Sequence, residues 1–308
     1  MRRRQASVAP DDEPVASGEQ FSPLTNAAGA LSDAVARLTG ASADRPEEPE
    51  PGAAAHVDDG HEKHRALSAL GGVVSDLATA ARVGGKGAVV GGAFLADLLT
   101  TTATRLPLRD KATIMAQHPG LDTEQLADSL VAAAQRVSGT IGGAAGGLAA
   151  AQWLATPSLI AVPLELAAET LLVAAVELKL VAELHEIYDA RPAGELSERA
   201  TAYLGSWTAQ RGLSGEGQTV GMAARLASAG TAALRRRITG RLARNLGSFL
   251  PFLAGAVVGA RNNSFGTRRL SQRLREDLAA HPQPIPSQRL GRPGDAPRPK
   301  ADDHHDHR

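Results

Sequence analysis

Apolar residues recur along this chain at helical intervals almost throughout. Leu67, Leu70, Val74 and Leu77 fall on one face and predict a helix over 62–83, with a second over 87–101. A short helix is expected from Asp110 to Gln117, stopped by His118-Pro119-Gly120. Asp122 with Gln125 three residues on has the form of a capping box, in which each side chain accepts from, or reaches back to, the other's backbone N–H. It opens a long helix that Pro157 ends near residue 155. Pro163 suits the first turn of the next helix, where the N–H that proline lacks would have no partner. That helix is expected to reach Tyr188, and another to cover 195–210. Gly212, Gly215 and Gly217 mark a loop. The stretch 219–278 predicts helix interrupted at Gly240, at Pro251 and at a turn-like Arg261-Asn262-Asn263. The alternation of apolar and polar residues that marks a half-buried strand is lacking.

These signals predict an all-α, Gly/Ala-rich helical bundle over 61–280 between disordered N- and C-terminal tails. Residues 1–60 include Asp44 to Gly52, an acidic, proline-rich stretch that buries too little apolar area to offset the entropy of ordering it. Within that tail Leu31, Val35 and Leu38 share a face and suggest a short helix, unable to stand alone. Residues 281–308 carry six prolines and then Asp302-Asp-His-His-Asp-His-Arg308. The MRRR start is followed by polar residues, so the apolar region of a secretory signal is not expected.

Residues 137–164 form an uncharged run of Gly and Ala with Pro157 near its end. Its length suits a membrane span, but its composition does not. Insertion gains roughly 0.3–0.6 kcal/mol for each Leu, Ile, Phe or Val, and residues 137–150 hold only Val137, Ile141 and Leu148 of that set. The more apolar stretch 159–184 contains Glu165, Glu169, Glu177, Lys179 and Glu183, each costing roughly 2.5–3.5 kcal/mol at a bilayer centre. GxxxG spacings point instead to close helix packing through Gly142, Gly143, Gly146 and Gly147, and through Gly255 and Gly259. Shallow insertion and packing within a bundle both fit this pattern.

The formal net charge is zero but unevenly placed. From 231 to 275 there are ten arginines and no acid. Leu234, Ile238, Leu242 and Leu246 stripe one helix face, while Arg235, Arg236, Arg237, Arg241 and Arg244 lie around the rest. Arg244 and Arg261 bracket an apolar stretch over 246–260, with Arg268, Arg269, Arg273 and Arg275 beyond it. A basic amphipathic segment of this kind suits an anionic lipid surface, each Arg contributing ~1 kcal/mol. A core-facing Leu/Ile stripe with solvated arginines is the other account. No aromatic stacking platform is interleaved, so nucleic acid is not expected as a partner.

Catalytic and metal patterns fail at particular residues. His185-Glu186-Ile187-Tyr188-Asp189 has Asp where a zinc-binding HExxH helix needs its second His. Gly85-Lys86 lacks both the earlier Gly and the following Ser or Thr of a phosphate-binding loop. The His/Asp clusters at 56–64 and 302–307 sit in or beside the tails, without a rigid ligand shell. There is no cysteine and no GxSxG. No catalytic residue, cofactor, metal or small-molecule substrate is assigned.

Two segments resemble EcsC-like bacterial proteins over about 130–280. One runs from Gly142-Gly-Ala-Ala-Gly-Gly147 through Glu177-Leu-Lys-Leu-Val-Ala-Glu-Leu-His-Glu-Ile-Tyr188 to Leu196-Ser-Glu-Arg199. The other is Pro251-Phe-Leu-Ala-Gly-Ala-Val-Val-Gly-Ala260 with Asn262 and Thr267. Asp189 stands where that family's pattern has Gly. The resemblance implies a membrane-associated helical protein, in some bacteria encoded beside an ABC transporter, and supplies no catalytic residues. The expectation is a non-enzymatic protein at the cytoplasmic face of the cell membrane, in contact with anionic lipid and acting with a membrane transport or envelope complex. The alternative is a soluble cytoplasmic helical scaffold whose tails bind partners.

Overall fold

The computed structural model describes residues 23–40, 59–84, 92–152, 161–212 and 253–280. Among them are eight helices and no strand: α1 (Pro23–Leu38), α2 (Asp59–Gly84), α3 (Gly92–Ala103), α4 (Lys111–Gln117), α5 (Thr123–Gln152), α6 (Ala161–Ile187), α7 (Leu196–Gln210) and α8 (Leu253–Ala280). The all-α bundle predicted from periodicity is the observed fold.

Short-range side-chain bonds start three of the helices, at one of them as the sequence predicts. Asp110 caps α4 by accepting from the Thr113 N–H at 2.8 Å, and the Thr113 side chain, together with that backbone bond, holds its carboxyl below the usual range. Asp122 and Gln125 close the capping box, at 2.8 Å and 3.1 Å. Glu195 and Glu198 close a second one at the start of α7. Gly194 precedes it at φ 101°, a conformation that favours glycine.

The bundle is built around α6. This helix touches every other described helix. All its side chains from Leu164 to Leu184 are buried except the half-buried Thr170. A helix with apolar side chains on every side can bury them only by being surrounded. α1 and α2 pair on one side, where Leu31, Val35, Leu70 and Leu77 are completely buried. The Ser32 hydroxyl donates to the Arg105 carbonyl at 2.6 Å, tying α1 to the end of α3. The short helix expected at Leu31, Val35 and Leu38 therefore forms inside the bundle, which takes in residues ahead of position 61. Most of the two predicted tails, 1–22, 41–58 and 281–308, lies outside the described residues.

Two expectations change. Leu67 is exposed, and α2 buries Ala66, Ala69 and Val73 beside Leu70 and Leu77. The contact face is rotated away from Leu67 because the neighbouring helices cover the Ala66, Ala69 and Val73 edge of the stripe instead. Arg261-Asn262-Asn263 is not a turn but the interior of the 28-residue α8. Asn263 is buried there and donates to Glu169 at 3.0 Å, so a tertiary bond outweighs its preference for turns.

α5 and α8 form the most extensive pair. Their crossing point is Gly142 against Gly259. A Cβ on either would fall well under 3.0 Å from the other's backbone. A Cβ on Gly143 would lie 3.6 Å from the Ala256 carbonyl and Ala260 Cβ, and one on Gly147 4.0 Å from Ala256 Cβ. Gly146 is buried on α5, and Gly255 lies in the first turn of α8. The small-residue spacings thus serve helix packing, with Gly142 and Gly259 as the two positions where no side chain fits.

Candidate functional site

The charges on α6 decide how α8 is held. Glu177, completely buried, accepts from four donors: Trp207 Nε1 at 3.0 Å, Arg211 Nε at 2.8 Å, Arg211 Nη2, and the Thr267 hydroxyl at 2.8 Å. One carboxylate therefore joins α6 to α7, to the residue after α7 and to α8. Glu169 accepts from Asn263 of α8. Glu183 takes a bidentate pair from Arg109, at 2.8 Å and 2.9 Å, and also pairs with Lys179 one turn earlier. That bond to Glu183 raises the Arg109 pKa, whereas burial lowers that of Lys179. Unpaired charges would be prohibitive at such depth; paired and hydrogen-bonded, they fix which helix lies where.

A second cluster fastens the other end of α8. Arg275 donates to Glu124 at 2.5 Å, Asp128 at 2.6 Å and the Tyr188 hydroxyl at 3.2 Å. Its bond to Glu124 lowers that carboxyl's pKa. The Tyr188 hydroxyl in turn donates to Glu124 at 2.8 Å. Residues from α5, the end of α6 and α8 thus share one set of bonds.

Held from beneath at Gly259, Asn263, Thr267 and Arg275, α8 turns its other face outward. Val257, Val258 and Phe265 are 53%, 45% and 55% exposed there, uncommon values for side chains of that size. Arg261, Arg268 and Arg269 are exposed among them. The Arg269 guanidinium lies 4.6 Å from the centre of the Phe265 ring, a cation–π contact. This face joins apolar and cationic groups on a helix that cannot rotate to bury them.

Of the arginines expected to face lipid, Arg261 lies on this surface. Arg235, Arg236, Arg237, Arg241 and Arg244 lie outside the described residues. The HExxH-like stretch has a packing role: His185 Nδ1 bonds the Val181 carbonyl at 2.8 Å and its ring meets Tyr203 edge-on at 5.4 Å. Asp189, in place of a second His, pairs with Lys111 at 2.6 Å. Periodicity did not find Arg109, Trp207, Arg211, Asn263 or Thr267 as partners of the buried glutamates. The available signal was Glu177 itself, since a carboxylate amid apolar residues requires donors from elsewhere in the chain.

Comparison with protein-family models, with curated proteins and with solved structures finds no match for this chain. Among the described residues, no helix is long and apolar enough to cross a membrane. α6 has the length, but its glutamates and Lys179 remove the gain, one central charge offsetting roughly five aliphatic side chains.

Proposed function

We propose that this chain is a non-enzymatic helical protein that binds the cytoplasmic face of a membrane through the outward face of α8. The observation that carries this reading is the exposed Val257, Val258 and Phe265 interleaved with Arg261, Arg268 and Arg269. Apolar groups gain by entering the headgroup boundary, while each arginine gains ~1 kcal/mol near anionic lipid. The arginine-rich stretch 235–244 lies just upstream in the chain and extends the same charge. The resemblance to EcsC-like proteins fits this setting and suggests work beside a membrane transport or envelope complex.

Co-sedimentation of the full chain with phosphatidylcholine vesicles containing roughly 30% phosphatidylglycerol tests the proposal, since anionic lipid supplies the attraction. Binding should fall with added salt and be weak to phosphatidylcholine alone. Recovery of the chain in the supernatant at low salt would overturn it. The second reading is a soluble scaffold, for which the same exposed arginines of α8 are the supporting observation. On that reading the α8 face docks an acidic partner, and replacing its arginines leaves vesicle recovery unchanged.

A further inference from the structure

Beside the exposed face of α8, against the end of α7, lies a cavity of about 350 Å³. Its lining includes Arg211, Asn262, Asn263, Phe265, Arg269 and Arg273, and no carboxylate among the described residues. Arg211 is neutralised by its bidentate pair with Glu177. Arg273 gives one donor to the Gln210 carbonyl at 3.0 Å, and Arg269 stacks on Phe265. Among the described residues neither Arg269 nor Arg273 has a carboxylate within ion-pairing distance, so two guanidinium charges meet at one cavity without a counter-charge. The floor is kept low by Gly266, where a Cβ would lie 3.2 Å from Arg211 Nη1.

We infer that this cavity holds the phosphate headgroup of an anionic phospholipid. Arg269 and Arg273 would take the phosphate oxygens, and Asn262 the polar remainder of the headgroup. The volume is at the small end of ligand sites, enough for a glycerophosphate but not for a whole lipid. The acyl part has a path outside: Val258, Phe265 and Arg269 are spaced i, i+7 and i+11, so one stripe of α8 leads from the cavity rim to exposed apolar surface. Guanidinium forks suit phosphate oxygens in particular. This inference rests on the membrane-surface reading and adds a site to it.

The test is calorimetric titration of the full chain with dihexanoylphosphatidylglycerol below its aggregation concentration. Saturable one-to-one binding is expected. Arg269→Gln should weaken it about tenfold, the loss of one charge-assisted contact. Arg268→Gln, on the same exposed face but outside the cavity, should change it less than about twofold, and Asn262→Asp should abolish it. Both arginines are exposed, so thermal melting should match the parent and exclude misfolding. Equal losses for Arg268→Gln and Arg269→Gln would overturn the site in favour of diffuse charge. Inorganic phosphate binding as tightly as the lipid would overturn lipid as its occupant, and equal binding of dihexanoylphosphatidylcholine would reduce it to apolar contact. Vesicle binding without short-chain binding removes the cavity and leaves the surface reading. Short-chain binding without vesicle binding removes the surface reading, and with it a membrane lipid as occupant.

Discussion

α6 and α8 are almost equal in length, at 27 and 28 residues, and both are rich in charge. They treat it in opposite ways. α6 buries four glutamates and a lysine, and the chain brings donors to them from the α3–α4 connection, from α7 and its C-terminal end, and from α8. α8 sets Gly259 against Gly142, buries Asn263, Thr267, Leu270 and Leu274, and leaves three large apolar side chains and Arg261, Arg268 and Arg269 outside. Buried charge needs partners at fixed positions and therefore specifies an arrangement. Exposed charge needs none and remains available for a surface. The internal glutamates define the architecture, and the external arginines carry the proposed function.

Substitutions that part the two helices should have the largest effect. Gly142→Leu puts a side chain where the Gly259 backbone lies, and should cost more than about 4 kcal/mol or prevent folding, as read by denaturant unfolding. At Gly147 an added Cβ would lie 4.0 Å from Ala256 Cβ, an ordinary contact, so Gly147→Leu should cost clearly less. Equal effects would show that the crossing is not centred on Gly142 and Gly259. Next in size is Glu177→Gln, which leaves Arg211 without its counter-charge and should cost about 3 kcal/mol. Glu183→Gln should cost about as much, because it leaves both Arg109 and the buried Lys179 without their counter-charge.

The exposed side of the comparison responds in binding rather than stability. Replacing Arg261, Arg268 and Arg269 together with Gln should weaken anionic-vesicle binding on the order of a hundredfold, at ~1 kcal/mol per arginine. The melting temperature should stay within about 2 °C of the parent, since such surface changes are usually small. A large drop in melting temperature would mean that these arginines serve the bundle, and the contrast between α6 and α8 would fail.

The smallest effects concern pH. Burial holds the His185 pKa below 6.5, so the folded ring stays neutral where the unfolded chain takes up a proton. Stability should therefore fall as pH drops from 6.5 through the folded value, and His185→Gln should flatten that limb. Burial pushes the Tyr203 pKa up from 10.0 to about 12. The unfolded phenol ionises first, so stability is lost as pH rises across that interval, and Tyr203→Phe should remove this loss. Urea titrations at stepped pH measure both.

Much of the fold was legible because its signals are local. The Asp122/Gln125 box and the first-turn Pro163 act within a few residues, and each appears where its sequence places it. The Gly142 and Gly259 spacings announced close packing, although not that these two would meet. The reading of Arg261-Asn262-Asn263 as a turn failed because the bond that keeps Asn263 helical comes from Glu169, 94 residues away. Leu67 was placed inside for a related reason: periodicity gives a stripe, and neighbours decide which edge of it is covered.

The sequence by itself determined that the chain is helical and where most helices begin. Helix formation and capping depend on groups within about one turn of each other, so local order is sufficient for them. Only the tertiary structure decided that Glu177 is satisfied by Trp207, Arg211 and Thr267, and that this same anchoring leaves Phe265 and its arginines facing outward. Those partners lie 30 to 90 residues from Glu177 in the chain. Their meeting follows from packing all the helices at once, which no local pattern encodes.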